Sequence, residues 1–298
     1  MGSKDLHVPV MYAEVEQYLV LPVGGCLVDC TLGMGGHSQL LAKQLGKTGR
    51  IIGFDNDAEA LKIAEQNLSG CVERCDLIHD NFRNIEKVLN NLGVKQVDGI
   101  LVDLGISSFQ LDDPQRGFSL KTDGPLDMRM NQEGPLSAYD LVNSLTEKEI
   151  VKILREYGEE RFAGRIARRI VDRREESPIE TTKELRKIVL SVLPSGYRRQ
   201  KIHPATRTFQ AFRIAVNREL DALEVVLTKG IDCLKPGGRM GVIAFHSLED
   251  RIVKHKFRAL AKEKKVELVF KKPLRPEEDE IRENPRARSA RFRVVEKI

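Results

Sequence analysis

The stretch Asp29-Cys30-Thr31-Leu32-Gly33-Met34-Gly35-Gly36-His37 decides the fold. An apolar run over residues 26–32 predicts a short strand that leads into this stretch. A helical pattern that ends at Leu45 begins within the stretch. Glycines at such a turn let the backbone approach a ligand closely and adopt positive φ. The stretch therefore predicts a ligand-binding loop, and a glycine turn that serves only strand–helix packing is the alternative.

Two ligand classes use a loop of this geometry. The dinucleotide pattern Gly-x-Gly-x-x-Gly would require glycine at position 38, where Ser38 stands. Methyltransferases favour acid-x-Gly-x-Gly-x-Gly, which Asp29, Gly33 and Gly35 match, although Thr31 replaces the first glycine. The loop therefore favours S-adenosylmethionine, and a nicotinamide-dependent oxidoreductase is the rival interpretation.

Strand and helix patterns alternate outward from this loop. Further strands are predicted over 50–55, 76–82 and 97–104, with helices over 57–68 and 85–92 between them. Strands separated by helices of about ten residues indicate a parallel sheet with right-handed crossovers. The sheet domain is therefore predicted to be of the α/β class.

The pattern then changes to loops and helices. Residues 106–131 are loop-like, and the pairs Thr146 with Glu149 and Thr181 with Glu184 predict capping boxes. One long helix is predicted from near Pro204 to about 227, and a helix over 159–176 precedes it. Strands return over 239–245, 266–270 and 291–296. We therefore expect a methyltransferase domain over residues 1–113 and 215–298, interrupted by a helical insertion over 114–214 that recognises the substrate.

Acidic residues end successive strands of the predicted sheet. Asp55 ends the second strand, where a carboxylate can accept both hydroxyls of a ribose. Asp80 and Phe82 end the third, where they can accept an adenine amino group and cover a ring; a purely structural Phe82 is the alternative. Asp103 ends the fourth strand, at the switch point that faces cofactor and substrate. Together with Asp29, these acids predict a nucleoside site.

Composition limits the other classes. The 298 residues carry a net charge of +5, and the apolar runs are far too short to cross a bilayer. The five cysteines form no Cys-x-x-Cys pair, and no signal region precedes residue 26, so reduced thiols in a cytoplasmic protein without a metal site are expected.

Arginines cluster in the predicted insertion. Six lie between residues 161 and 174 against one acid, Asp172, and four of them are candidates for RNA phosphates: Arg161, Arg165, Arg168 and Arg169. A solvated helix face is the alternative explanation. A second cluster of four arginines, without an acid, lies between 286 and 293.

Seven segments carry a specific family resemblance. They are residues 7–11 (HVPVM), 29–37, 103–110 (DLGISSFQ), 116–119 (RGFS), 123–130 (DGPLDMRM), 203–210 (HPATRTFQ) and 245–251 (FHSLEDR). These segments resemble the bacterial 16S rRNA cytosine-N4 methyltransferases, the RsmH or MraW family, over essentially the whole chain.

The resemblance implies a class I methyltransferase fold, with a mostly parallel seven-stranded sheet and an all-helical insertion after the fourth strand. It implies conversion of S-adenosylmethionine to S-adenosylhomocysteine and N4-methylation of a cytidine in the decoding region of 16S rRNA, in the assembled small subunit. The implied cofactor contacts are Gly33, the backbone of Gly35, Gly36 and His37, then Asp55, Phe82, Asp103 and Gln110.

The chemistry requires an acceptor for the cytosine amine, whose lone pair is delocalised into the ring. The Asn/Asp-Pro-Pro-aromatic motif of many amino-methyltransferases is absent after the fourth strand, and Ser107 and Ser108 take its place. Asp103 and His246 are the other candidates, with a structural histidine and a serine-rich turn as the alternatives. A non-catalytic RNA-binding or assembly factor is the second rival function; intact acids at four strand ends argue against it.

Overall fold

The computed structural model describes residues 9–194, 196–197 and 203–298, so the first two residues of the segment 7–11 lie outside the described residues. The chain forms two compact units, Met1–Gly105 with Leu220–Ile298, and Ile106–Glu219. The sequence placed these boundaries after residues 113 and 214. The difference has a local cause at each end: Ile106 packs on the core of the second unit, and Glu219 is bound by Arg213 of that unit.

A seven-stranded sheet organises the first unit. Its strands are β1 (Cys26–Asp29), β2 (Arg50–Asp55), β3 (Arg74–His79), β4 (Val97–Asp103), β5 (Leu234–Ala244), β6 (Val266–Leu268) and β7 (Arg291–Lys297). The order is β3-β2-β1-β4-β5-β7-β6, in which only the pairings of β7 with β5 and β6 are antiparallel. This arrangement confirms the predicted α/β fold with a mostly parallel sheet.

Helices cover both faces of this sheet. They are α1 (Tyr12–Tyr18), α2 (Gly36–Leu45), α3 (Ala58–Leu68) and α4 (Ile85–Asn91) before the second unit. The side chains of β4 alternate between two apolar cores, since Ile100 and Val102 belong to one and Leu101 to the other. A central strand buried on both faces is mostly apolar, which explains the run from Ile100 to Val102.

Several strand predictions in this unit were wrong in extent, among them those for the third and fifth strands. The third strand runs over Arg74–His79, not 76–82, because Asn81 caps a short 3₁₀ helix that starts at Phe82. The fifth begins at Leu234 and pairs with β4 across an irregularity that takes up residues 235–238, which the sequence indicated as a turn before the strand.

The second unit is helical. Its helices are α5 (Ser108–Asp112), α6 (Ala138–Ser144), α7 (Glu147–Glu156), α8 (Ala163–Glu176), α9 (Thr182–Val192) and α10 (Thr206–Asn217). Both predicted capping boxes are present, at Thr146 with Glu149 and at Thr181 with Glu184. The helix predicted over 159–176 begins later, at Ala163, because Glu159 has a positive φ of 47°.

The single helix predicted from Pro204 to 227 is wrong. Arg218 adopts the left-handed conformation, with φ 51°, and separates α10 from α11 (Glu219–Cys233). The break lets the Arg213 guanidinium bind the Glu219 carboxylate through two hydrogen bonds of 2.9 and 2.8 Å. The remaining helices of the first unit, α12 (Ser247–Lys262) and α13 (Glu278–Glu283), follow β5 and β6; α13 lies in a segment that the sequence indicated as loop.

Two of the segments that carry the resemblance, residues 116–119 and 123–130, are joined by hydrogen bonds in the part of the second unit between α5 and α6. The buried Arg116 donates to the carbonyls of Arg129 and Met130, and Met128 donates its N–H to the Arg116 carbonyl. A Cβ at Gly117 would collide with the Pro125 carbonyl. Hydrogen bonding and close packing therefore explain the residue types in these two segments. Among the described residues, no helix is long and apolar enough to cross a membrane.

Candidate active site

The loop after β1 is built around a buried carboxylate. Asp29 is 1% exposed; it accepts hydrogen bonds from the Ser38 hydroxyl (2.7 Å) and the Thr31 N–H (3.1 Å). Burial raises the pKa of Asp29, and the Ser38 hydrogen bond opposes the shift. The Thr31 hydroxyl in turn accepts the Asp103 N–H at 2.7 Å. Thr31 and Ser38, noted in the sequence only as departures from glycine patterns, thus connect the ends of β1 and β4.

Asp55 ends β2 and holds the same loop. Its two carboxylate oxygens accept the N–H of Gly33 (2.7 Å) and the N–H of Asp57 (2.9 Å). Burial raises the pKa of Asp55 to about 6, against these two hydrogen bonds. Each carboxylate oxygen keeps a second acceptor position, so Asp55 can still accept hydroxyl groups. Asp57 is the N-cap of α3 and accepts the Glu59 N–H, so the carboxylate of Asp55 is not needed for that cap.

The glycines at 35 and 36 bring the loop to the start of α2. Gly35 has φ 86° and is the N-cap residue, and a Cβ at Gly36 would lie 2.6 Å from the ring of Pro9. No side chain among the described residues caps α2. The N–H groups of the first turn, which include those of Gly36 and His37, are therefore available to an anionic group.

His37 and Asp103 bring unpartnered polar atoms together beside this turn. His37 is 6% exposed, and neither ring nitrogen makes a hydrogen bond within the described residues. Its Nε2 lies 3.6 Å from Oδ2 of Asp103, whose Oδ1 is also buried without a partner. Buried polar atoms of native proteins are nearly always paired, so this cluster indicates a bound polar ligand.

Asp80 and Phe82 lie beyond the end of β3 rather than on it. The Asp80 carboxylate accepts the Asn84 side-chain amide (2.8 and 3.0 Å) and the Asn81 N–H (2.7 Å). Phe82 is 8% exposed and belongs to the apolar core between the sheet and α4. These contacts support the structural alternative for Phe82, and its role as a cofactor contact remains a prediction.

Ser107, Ser108 and Gln110 belong to the second unit and form the start of α5. The Ser107 hydroxyl accepts the Gln110 N–H at 3.1 Å, and the Gln110 side chain accepts the Ser107 N–H at 3.3 Å. This capping box gives Ser107 and the buried Gln110 a structural function. Their predicted contacts with substrate and cofactor remain predictions, as does the role of Ser108.

His246 follows β5 and is the N-cap residue of α12. Its Nδ1 accepts the Glu249 N–H at 3.3 Å, and its Nε2 lies 3.1 Å from Oε1 of Glu249. The other oxygen of Glu249 accepts the N–H groups of Phe245 and His246. Nδ1 thus caps the helix, which supports the structural alternative, whereas Nε2 is buried without a hydrogen bond among the described residues and keeps the catalytic role of His246 a prediction. The sequence missed this capping box because histidine is not among the preferred N-cap residues.

The predicted RNA contacts of the second unit lie in one exposed region. Arg165, Arg168 and Arg169 project from α8 on the side opposite the buried Ile166 and Ile170. Arg161, which precedes the helix, is exposed as well. Arg165 lies over the Phe162 ring at 5.9 Å, and none of the four makes an ion pair within the described residues. Arg173 and Arg174, in contrast, bind Ser177 and the Val142 carbonyl.

The first unit as a whole defines a class of protein. Its strand order is β3-β2-β1-β4-β5-β7-β6, with one antiparallel strand. A glycine loop after β1 contacts acids that end β2 and β4. This is the class I methyltransferase fold, with the loop that is predicted to bind the cofactor after β1. Among the described residues, no three His, Cys, Asp or Glu side chains are placed to hold a metal ion.

Sequence comparisons then give the family. The model of the MraW methylase family matches residues 4–298, so the chain belongs to this family and is an S-adenosylmethionine-dependent methyltransferase. Curated relatives named ribosomal RNA small subunit methyltransferase H are 46% identical in Syntrophus aciditrophicus (100% of this chain, 99% of the relative) and 47% identical in Brevibacillus brevis (98% of each). The resemblance stated from the sequence is confirmed.

Proposed function

We propose that this methyltransferase acts on N4 of a cytidine in the decoding region of 16S rRNA, within the small ribosomal subunit in the cytoplasm. The whole-length relatives named ribosomal RNA small subunit methyltransferase H support the RNA substrate. The Asp103 carboxylate carries the chemical part of the proposal, because its buried Oδ1 is an acceptor without a partner at the end of β4.

The residues of the first unit fit S-adenosylmethionine by their chemistry. Asp55 would accept the ribose hydroxyls, and the open N–H groups of Gly36 and His37 would bind the carboxylate of the amino-acid end. His37 Nε2 and Oδ2 of Asp103, 3.6 Å apart, would face this charged end, which leaves Oδ1 of Asp103 for the substrate. When bound, the sulfonium supplies an electrophilic methyl group, so the protein has to position the amine rather than activate the donor.

Asp103 is the best-supported acceptor for the cytosine amine. An amine that donates a hydrogen bond to a carboxylate becomes more tetrahedral and more nucleophilic, and the carboxylate can take up the proton that leaves after transfer. His246 is less suited, because Glu249 faces both of its ring nitrogens. The target cytidine has to leave its stack to reach this edge of the sheet.

Mass mapping of the RNA tests the proposal. Small subunits from a strain that lacks the enzyme are incubated with methyl-labelled S-adenosylmethionine, and the modified nucleotide is located after nuclease digestion. We expect N4-methylcytidine in the decoding region. Asp103→Asn, which keeps the shape and removes the charge, should lower turnover at least ~100-fold, or about 2.7 kcal/mol of barrier. A methyl group on another base or atom would refute the proposed substrate.

A further inference from the structure

The exposed face of α12 carries charge of one sign. Between Arg251 and Lys262 this helix contains six basic residues and no acid. The acids of its first turn are not exposed: Glu249 is 1% exposed and caps the helix, and Asp250 is 7% exposed and binds Arg291 and Arg293. Neither acid can neutralise the exposed face.

Helical geometry gathers five of these residues into one stripe. At 100° per residue, they fall within an arc of about 100° on one side of the helix, and the stripe is about 16 Å long. We call them the α12 basic stripe: Arg251, Lys254, His255, Arg258 and Lys262. The buried Val253, Phe257 and Leu260 lie on the opposite side, against the sheet.

Three cations of the stripe lack, among the described residues, the partners that a solvated helix face normally has. Lys254, Arg258 and Lys262 make no ion pair or hydrogen bond within the described residues. The exposed face of α3 in the same unit alternates Glu59, Lys62 and Glu65 instead. Exposed helix faces usually mix the two signs, because like charges at i and i+4 repel each other. A function therefore has to offset the repulsion along α12.

One end of the α12 basic stripe lies near the candidate active site. β5 pairs with β4 so that Ile243 is the partner of Asp103, and α12 begins two residues after the end of β5. The Arg251 end of the stripe thus lies within about two helical turns of the sheet edge that carries Asp103, and Lys262 is the far end. A polyanion bound along α12 would run directly toward the reacting base.

We propose that the α12 basic stripe binds the phosphate backbone of the RNA strand that flanks the methylated cytidine. This inference rests on the proposed RNA substrate. A row of cations without apolar groups suits phosphates, which need only charge and hydrogen-bond donors. A membrane surface or a protein partner would require exposed apolar side chains, and among the described residues α12 contributes none to the exposed large hydrophobic residues.

The test compares two variants that lose the same charge. The stripe variant is Lys254→Gln, Arg258→Gln, Lys262→Gln. The control, Lys229→Gln, Lys265→Gln, Arg282→Gln, removes three cations of the same unit that are already paired with acids. Binding to small ribosomal subunits is measured over a range of salt concentrations, with cofactor affinity by calorimetry and melting by circular dichroism.

We expect the stripe variant to bind subunits at least tenfold more weakly at low salt. The slope of log K against log salt should become shallower by about two units, since each phosphate that the variant no longer neutralises removes ~0.7–0.9. Cofactor affinity and melting should not change, and Lys254→Arg, Arg258→Lys, Lys262→Arg should restore the slope.

Equal slopes for the stripe and control variants overturn the inference. Stripe-dependent binding of the wild type to vesicles of anionic lipid, with unchanged binding to subunits, would also overturn it in favour of a membrane surface. Failure of the wild type to methylate subunits would instead refute the proposed function, so the two failures are distinguishable.

Discussion

At the scale of single residues, carboxylates hold the site together before any ligand arrives. Asp29 fixes Ser38 and Thr31, Thr31 fixes the backbone of Asp103, and Asp55 fixes the backbone of Gly33. The loop is therefore pre-organised by side chains that are themselves buried. Such pre-organisation reduces the conformational entropy that binding would otherwise cost.

Asp55→Ala should weaken S-adenosylmethionine binding tenfold to several-hundredfold. The change removes one or two charge-assisted hydrogen bonds to ribose, worth roughly 1.5–3 kcal/mol each, and also frees the N–H of Gly33. Calorimetry measures the loss. Asp57→Ala is the matched control: it removes the cap of α3, at about 1 kcal/mol of stability, and should leave cofactor affinity within threefold. A change below threefold for Asp55→Ala would remove Asp55 from the site.

Cofactor affinity should also depend on pH through Asp55. Burial raises the pKa of this carboxyl to about 6, so it is ionised at pH 7 and mostly protonated at pH 5. If the ionised form accepts the ribose hydroxyls, affinity falls as pH decreases, by about tenfold between pH 7 and pH 5. Titration calorimetry at several pH values tests this. Asp55→Asn, which cannot ionise, should flatten the profile, and an unchanged profile in that variant would assign the titration to another group.

At the scale of elements, the sequence predicted the helix starts that depend on capping by side chains. Thr146 with Glu149 and Thr181 with Glu184 indicate helix starts from the sequence alone, and both capping boxes are present. The break at Arg218 carried no such signal, because a non-glycine residue in the left-handed region depends on tertiary contacts such as the pair of Arg213 with Glu219. The end of β3 was likewise missed, since polar contacts of Asp80 and Asn81 replaced the strand.

The start of α5 allows the two functions of its serines to be separated. Replacing Ser107 and Ser108 together with alanine should lower turnover at least ~100-fold, about 2.7 kcal/mol of barrier, if their hydroxyls orient the amine. S-adenosylmethionine affinity should stay within about threefold. The Ser107 hydroxyl also caps the helix, so Ser107→Ala alone should cost about 1 kcal/mol of stability.

Two single variants, Ser107→Thr and Ser108→Ala, complete this test of the serine hydroxyls. Threonine can still cap the helix, so Ser107→Thr should restore the melting temperature. A normal turnover in the double alanine variant, with only its stability reduced, would leave these serines a structural role and support Asp103 as the acceptor.

At the scale of the whole molecule, two units divide the chain. The positions of β1, β2 and β4 could be predicted, because each is largely apolar and ends in an acid, at Asp29, Asp55 or Asp103. The insertion of β7 between β5 and β6 could not, since alternating residues in 291–296 fit an edge or an inner strand equally. Pairing partners at long sequence distance are set by tertiary packing, which a local pattern does not encode.

The candidate site likewise has parts that the sequence predicts and parts that it does not. The placement of acids and glycines at the ends of β1, β2 and β4 could be predicted from the sequence, and their cofactor contacts remain predictions. The unpartnered His37 ring could not, because burial and the 3.6 Å approach to Asp103 are properties of the folded chain. Orphaned polar atoms are visible only when every neighbour is known.

The two units should also separate in function. Arg165→Gln, Arg168→Gln, Arg169→Gln changes only exposed cations of α8, and each lacks an ion-pair partner among the described residues. S-adenosylmethionine affinity should be unchanged, because the acids proposed to bind the cofactor belong to the other unit. Binding to small ribosomal subunits should weaken, and its salt slope should become shallower by up to ~0.7–0.9 for each phosphate that these arginines neutralise in the wild type.

A variant of α7 provides the control for this last change. Lys148→Gln, Lys152→Gln, Arg155→Gln removes the same charge from a neighbouring helix whose exposed face also carries Glu149 and Glu156. If α8 binds phosphates, only the α8 variant changes the slope, because mixed faces release few counterions. If both variants change the slope equally, the arginines act through net charge alone, and α8 is a solvated face.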